Sequence, residues 1–204
     1  MSLAAAARRG ALVPSVVLEH CQTLPGGTRV LLGPPSAERA RFALELVGPA
    51  QLVGACDRTA GVGLVIDAGR LDPGSPALGA VEASRIALLV LRPVAEEVMH
   101  AAERVEGLKA AARRLGLVVS GRGDYPAREV AETLNLELVG VLPHDERSAA
   151  LLAGKGGNAR ELARSPLMRA ARTLADRLAD TVGGFVPTPL ATATGMRSAT
   201  EAAT

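Results

Sequence analysis

Short apolar runs bounded by glycine, proline or charge alternate along this chain with segments whose apolar residues recur at helical spacing. The runs Arg29–Gly33, Gly63–Asp67, Ile86–Leu91, Leu115–Ser120 and Leu136–Val141 are strand-sized, and near-continuous hydrophobicity is what a strand covered on both faces requires. Helix patterns lie between them. Ser36 is placed to cap a helix that carries Ala37, Ala40, Leu44 and Val47 on one face and stops at Gly48-Pro49. A longer helix repeats Val94, Val98, Ala101, Val105, Leu108 and Ala112, with Glu96, Glu97, Glu103 and Arg104 opposite, so its stripe faces a core. Ala127–Leu134 is a shorter segment of the same kind. This alternation predicts an α/β fold: a mostly parallel central sheet of about five strands with helices on both faces.

After Leu142-Pro143 the pattern turns helical throughout. Asp145 caps a short helix ending at Gly154, and Asn158 caps the next, with Glu161 placed to complete a capping box. Pro166 suits the first turn of a final helix with Leu167, Ala171, Leu174 and Leu178 inward. From Gly183 the chain is rich in Thr, Ala and Pro without a periodic apolar face, and it reads as a disordered tail. Residues 1–182 then form a single domain.

Composition narrows the picture. Apolar residues make up 48% and aromatics only 1%, so Leu, Val and Ala must fill the interior. The basic residues are nearly all arginine, which with abundant alanine suggests a GC-rich coding sequence. A net charge of +2 gives no concentrated basic field of the kind that a strong nucleic-acid binder shows. Cys21 and Cys56 stand in no metal-ligand spacing and read as reduced thiols of a cytosolic protein. Leu3–Arg9 is too short for a signal peptide and carries its arginines after the apolar run. All apolar runs fall well below a membrane span. The expectation is a soluble, cytoplasmic protein.

Candidate chemistry centres on Asp67, which ends an apolar run and is followed by Ala68-Gly69. A carboxylate there projects from the carboxyl edge of a parallel sheet, where ligands of α/β folds bind. Val62–Gly69 resembles the magnesium-side strand of a P-loop nucleotidase. In such an enzyme Asp67 would hold a Mg²⁺ water, and Gly69 would let the backbone approach the γ-phosphate. The plainer alternative is a polar strand end capping the next turn. A phosphate cradle also needs Gly, four residues, then Gly-Lys-Ser/Thr. The two lysines, Lys109 and Lys155, are followed by Ala110 and Gly156, so neither can serve. Lys155-Gly156-Gly157-Asn158-Ala159-Arg160-Glu161 echoes the signature but lacks its second glycine, second lysine and hydroxyl, and reads as a turn between helices.

From Arg29 to about Asp180 the chain resembles the MinD/ParA family of partitioning and septum-site ATPases, most closely the MinD-like proteins of high-GC bacteria. The resemblance is carried, in order, by Arg29–Pro35, Val65–Leu71, Leu88–Pro93, Val139–Asp145 and Ala163–Leu167. It implies that Asp67 and Gly69 match the Walker B and switch II residues, with Asp67 the metal-site residue. Pro93 matches a strand-end position, and the Pro143-His144-Asp145 turn resembles the segment beside the adenine. At Ser120-Gly121-Arg122-Gly123 the chain departs from the asparagine that the family often carries.

Family members begin with a strand leading into Lys-Gly-Gly-x-Gly-Lys-Thr and then a catalytic aspartate. Met1–Ala5 resembles a stretch downstream of both, so no catalytic residue is assigned. In the family the phosphate-loop strand lies beside the strand ending in Asp67. Without it, either the neighbouring strands close up directly or another polypeptide supplies one.

The resemblance implies a MinD/ParA-like protein without a phosphate-binding loop. It would act as a non-hydrolysing interaction or regulatory module in chromosome partitioning, septum placement, or pilus and secretion-system positioning. No cofactor is expected for this chain alone. The alternative is a fragment of an active ATPase whose phosphate loop lies upstream or on a partner chain, with ATP and Mg²⁺ then bound. A protein partner or a homodimer is expected. Arg160, Arg164, Arg169, Arg172 and Arg177 could present a basic surface to DNA, but Glu161, Asp176 and Asp180 interrupt them, and a solvated helix face is the better reading. Direct membrane binding is not expected, because the C-terminal stretch lacks an amphipathic membrane-seeking helix.

Overall fold

The protein is described by a computed structural model covering residues 3–10, 12–24, 28–34, 36–57, 63–72, 74–156 and 158–182. Its first part is a cluster of short helices: α1 (Leu3–Arg8), α2 (Pro14–Glu19), α3 (Ala37–Val47), α4 (Pro49–Asp57) and α5 (Leu78–Ala83). Ala6, Ala7, Leu12, Val17, Val47 and Ala55 form a small core among them. Ser36 caps α3 as its sequence requires, accepting the Arg39 N–H at 3.3 Å. Gly48 ends α3 with φ +63°, and α4 starts directly at Pro49.

The second part contains the sheet. Strand β3 (Ala87–Leu91) leads into α6 (Ala95–Ala111), β4 (Leu115–Ser120) into α7 (Ala127–Leu134), and β5 (Glu137–Leu142) into α8 (Glu146–Leu152), α9 (Ala159–Ala163) and α10 (Pro166–Val182). The three strands are parallel in the order β3-β4-β5. Leu117 and Val119 of β4 lie with Leu91, Ala101, Val130, Ala131 and Leu134 in the core beneath α6 and α7. On the opposite face α10 packs against β5, and Leu174 sits over Gly140. β4 is therefore the centre: Leu117, Val118 and Val119 are at most 2% exposed, whereas Val90 on β3 is 57% exposed.

The α/β class and the parallel sheet with helices on both faces agree with the sequence reading, as do the spans of α3, α6 and α7. Two expected strands differ. Within Arg29–Gly33 only Arg29–Val30 is a strand (β2), paired antiparallel with β1 (Gln22–Thr23) in a separate ribbon. The Leu24 N–H donates to Thr28 O at 2.8 Å, so β2 finds a neighbour close in sequence, which costs little closure entropy. Gly63–Asp67 belongs to no strand, and Val65 is 94% exposed. A run of this kind becomes a strand only when another strand takes up its backbone, and here none does. The tail reading falls on residues 183–204, outside the described residues.

Because Leu117 is fully enclosed, Leu117→Ala should cost about 2–5 kcal/mol in urea unfolding. Val90→Ala, at an exposed position of the same sheet, should change stability by under about 1 kcal/mol.

Candidate functional site at the carboxyl edge of the sheet

The three strand ends are tied together by main-chain bonds. The Gly121 N–H donates to Leu142 O at 2.9 Å, joining the ends of β4 and β5. The Asp124 and Tyr125 N–H groups both donate to Pro93 O, at 2.9 and 3.2 Å, which joins the loop after β4 to the end of β3. This closeness explains Gly123: a Cβ there would lie 2.1 Å from Pro93 O, so no side chain fits without moving backbone. Pro93, read from sequence as a strand-end position, is thus the fixed point of the rim.

Pro143, His144 and Asp145 follow β5. The imidazole Nε2 of His144 lies 3.0 Å from the Glu146 carboxylate, exposed to solvent. Both carboxylate oxygens of Asp145 are engaged. Oδ1 accepts the Ser148 N–H at 3.0 Å, while Oδ2 accepts the Ser148 hydroxyl at 2.7 Å and the Leu167 N–H at 3.4 Å. Asp145 therefore caps α8 and links it to the first turn of α10. These bonds, led by the Ser148 amide, hold its carboxyl below the ordinary carboxylate range.

Asp67 sits elsewhere in the bonding pattern. Its Oδ1 accepts the Gly69 N–H at 2.9 Å, and Gly69 takes φ +60°. This tight turn matches the plainer sequence alternative, a polar residue capping the turn that follows it. No hydrogen bond or ion pair recorded for the described residues joins Asp67 or Gly69 to the Pro143–Asp145 turn. Among the described residues no group of three or more His, Cys, Asp or Glu side chains is arranged to hold a metal. At the rim Arg92 is bound to Glu97, and the Asp145 oxygens are occupied within the chain.

The Lys155-Gly156 stretch is a turn after α8, with Lys155 N–H donating to Ala150 O at 2.9 Å. Three of the C-terminal arginines serve the fold, because Arg169, Arg172 and Arg177 donate to the carbonyls of Arg164, Ala163 and Val139. An open cavity of about 280 Å³ lies at the other end of the sheet, lined by Ile86, Arg114, Glu137 and Arg177. It is crossed by the 2.7 Å Arg114–Glu137 ion pair. Among the described residues no helix is long and apolar enough to cross a membrane.

Sequence reasoning missed Glu97. Its carboxylate accepts the Arg92 N–H at 2.6 Å and pairs with the Arg92 guanidinium, closing the end of β3. The spacing of five between Arg92 and Glu97 across a strand–helix turn was a usable signal.

Solved structures share this architecture. The ParA family ATPase of Chlorobium tepidum matches with a TM-score of 0.62 at 15% identity, over 86% of this chain and 72% of that one. The septum site-determining protein MinD of Pyrococcus horikoshii, solved with Mg-ADP, matches at 0.60 and 16%, over 90% and 75%. The cell division ATPase MinD of Pyrococcus furiosus matches at 0.59 and 17%, over 88% and 76%. The fold is that of the MinD and ParA ATPases. Against the MinD cell division protein of Aquifex aeolicus, the chain spans about half that protein's length (49%), with a TM-score of 0.44. No protein-family model and no curated protein matches the sequence.

With both oxygens of Asp145 bound to α8 and α10, Asp145→Ala should lower thermal stability clearly, and Ser148→Ala should lower it less. Because the folded-state pKa is depressed, this contribution is complete above the unfolded-state value. It is lost as pH falls from about 4. Thermal melts of wild type and Asp145→Asn between pH 7 and 3 should therefore converge at the acid end.

Proposed function

We propose that this chain is a MinD/ParA-like module that works by binding protein rather than by hydrolysing ATP, in partitioning, septum placement or the positioning of a secretion or pilus apparatus. The observation that carries this reading is the state of the carboxyl rim. Several of its polar groups are spent on the chain itself: Asp145 on α8 and α10, Glu97 on Arg92, and Pro93 O on the loop after β4. The likeness to MinD and ParA structures supports the fold on which such a module would be built. The lysines are Lys109 and Lys155 alone, neither followed by Ser or Thr, so these residues offer no ammonium and hydroxyl for phosphates. Such groups supply most of the electrostatic stabilisation of phosphoryl transfer.

A second reading is favoured by one observation: among the described residues the outer edge of β3 has no strand beside it. On this reading the chain is the larger part of an ATPase whose phosphate loop and its strand come from upstream or from a partner, and Asp67 then holds the magnesium. An in-frame Lys-Gly-Gly-x-Gly-Lys-Thr in the DNA immediately upstream would support it.

Titration of labelled ATP with Mg²⁺ onto the purified chain separates the two. Our reading expects no binding tighter than about millimolar, and no difference between wild type and Asp67→Ala. Micromolar binding that Asp67→Ala abolishes would show the carboxyl edge to be a nucleotide site.

A further inference from the structure

β3 is the outer strand of the sheet, and its chemistry is unusual for an edge. The strand reads Ala-Leu-Leu-Val-Leu, without the charge, proline or bulge that normally protects an exposed edge. Along a strand, successive residues direct their backbone polar groups to opposite sides. The Ala87 N–H donates to Arg114 O at 2.9 Å, so Ala87, Leu89 and Leu91 face β4. Leu88, Val90 and Arg92 then face outward. The Arg92 N–H is satisfied by Glu97, and Arg92 O accepts the Val94 N–H at 2.8 Å. Among the described residues no strand pairs with the outward backbone of Leu88 and Val90, two N–H and two C=O groups long.

The same chain carries a second apolar segment outside the sheet. Gly63–Asp67 contains Leu64, Val65 and Ile66, pairs with no strand, and leaves Leu64 42% and Val65 94% exposed. The connection downstream of it is tied to α6, the helix that follows β3. Arg104 of α6 donates to Leu71 O at 3.1 Å and lies 3.4 Å from Asp72. The Asp67–Gly69 turn lies between the segment and that contact. The connection from residue 68 to residue 86 includes α5 and exceeds the dozen residues that a parallel crossover needs.

We infer that Gly63–Asp67 is a detachable fourth strand, poised to close parallel onto the free edge of β3. Closing pairs the Leu88 and Val90 backbone and takes Val65 out of water; opening exposes both apolar edges together. The device thus decides whether the sheet offers an edge to other strands. The occupant is this segment rather than a second copy, because the bonds of Leu71 and Asp72 to Arg104 already tie its downstream connection to the helix that follows β3, whatever the protein concentration.

Amide hydrogen exchange on the whole chain, read residue by residue by NMR, tests this. Leu89, bonded to β4, reports whether the sheet is intact. In the wild type the Leu88 and Val90 amides should be protected. In a Val65→Pro/Ile66→Pro variant they should exchange at least about tenfold faster, with Leu89 unchanged. Free exchange at Leu88 and Val90 in the wild type overturns the inference. So does protection that survives the two prolines, and protection lost on dilution would identify a second copy as the occupant. Loss of Leu89 protection in the variant would send the test to Val65→Asp, judged by the same criteria.

Discussion

The parallel ladder through β4 is the interaction from which the rest of this structure follows, because it is the only strand with neighbours on both sides in the described sheet. Its polar backbone is paired in both directions, and Leu117, Val118 and Val119 are enclosed from both faces. β3 and β5 each inherit their position from it, and α6, α7 and α10 cover what those three strands expose. In a chain with so few aromatic residues, aliphatic packing around one fully paired strand is a sound way to form a core.

That arrangement leaves two places where chemistry or recognition can occur, and they differ in kind. At the carboxyl rim the strand ends are locked by main-chain bonds to Pro93 O and Leu142 O, and by the Asp145 cap, so the rim is rigid and internally satisfied. At the outer side of β3 the backbone is unsatisfied and apolar. Free energy favours covering the second far more than adding to the first. The MinD and ParA likeness describes the scaffold; the two places differ in how far their polar groups are engaged within the chain.

Much of this was legible in the sequence. Ser36, Asp145 and Asn158 named their own helix starts, because a capping side chain needs only the amides two or three residues on. The stripe of α6 and the strands after it were equally clear, since apolar period and burial coincide there. Gly63–Asp67 was misread because hydrophobicity states that a segment can be a strand but not that a neighbour is present to pair it. Arg29–Gly33 was shortened for the reverse reason: an unforeseen local partner, Gln22–Thr23, took only its first two residues. At the rim, Asp145 was placed by resemblance beside a nucleotide and as a cap by local pattern. The bonds to Ser148 and Leu167 follow the local pattern.

The central proposal is that this chain binds no nucleotide, because the polar groups of its carboxyl rim are engaged within the chain. Thermal unfolding of the whole chain, with and without millimolar Mg-ATP, addresses it directly. A ligand present at a hundred times its dissociation constant adds about 2.7 kcal/mol to the folded state, so a real site cannot hide. Superimposable unfolding curves are the predicted result. A midpoint that climbs steadily with nucleotide concentration would contradict the account.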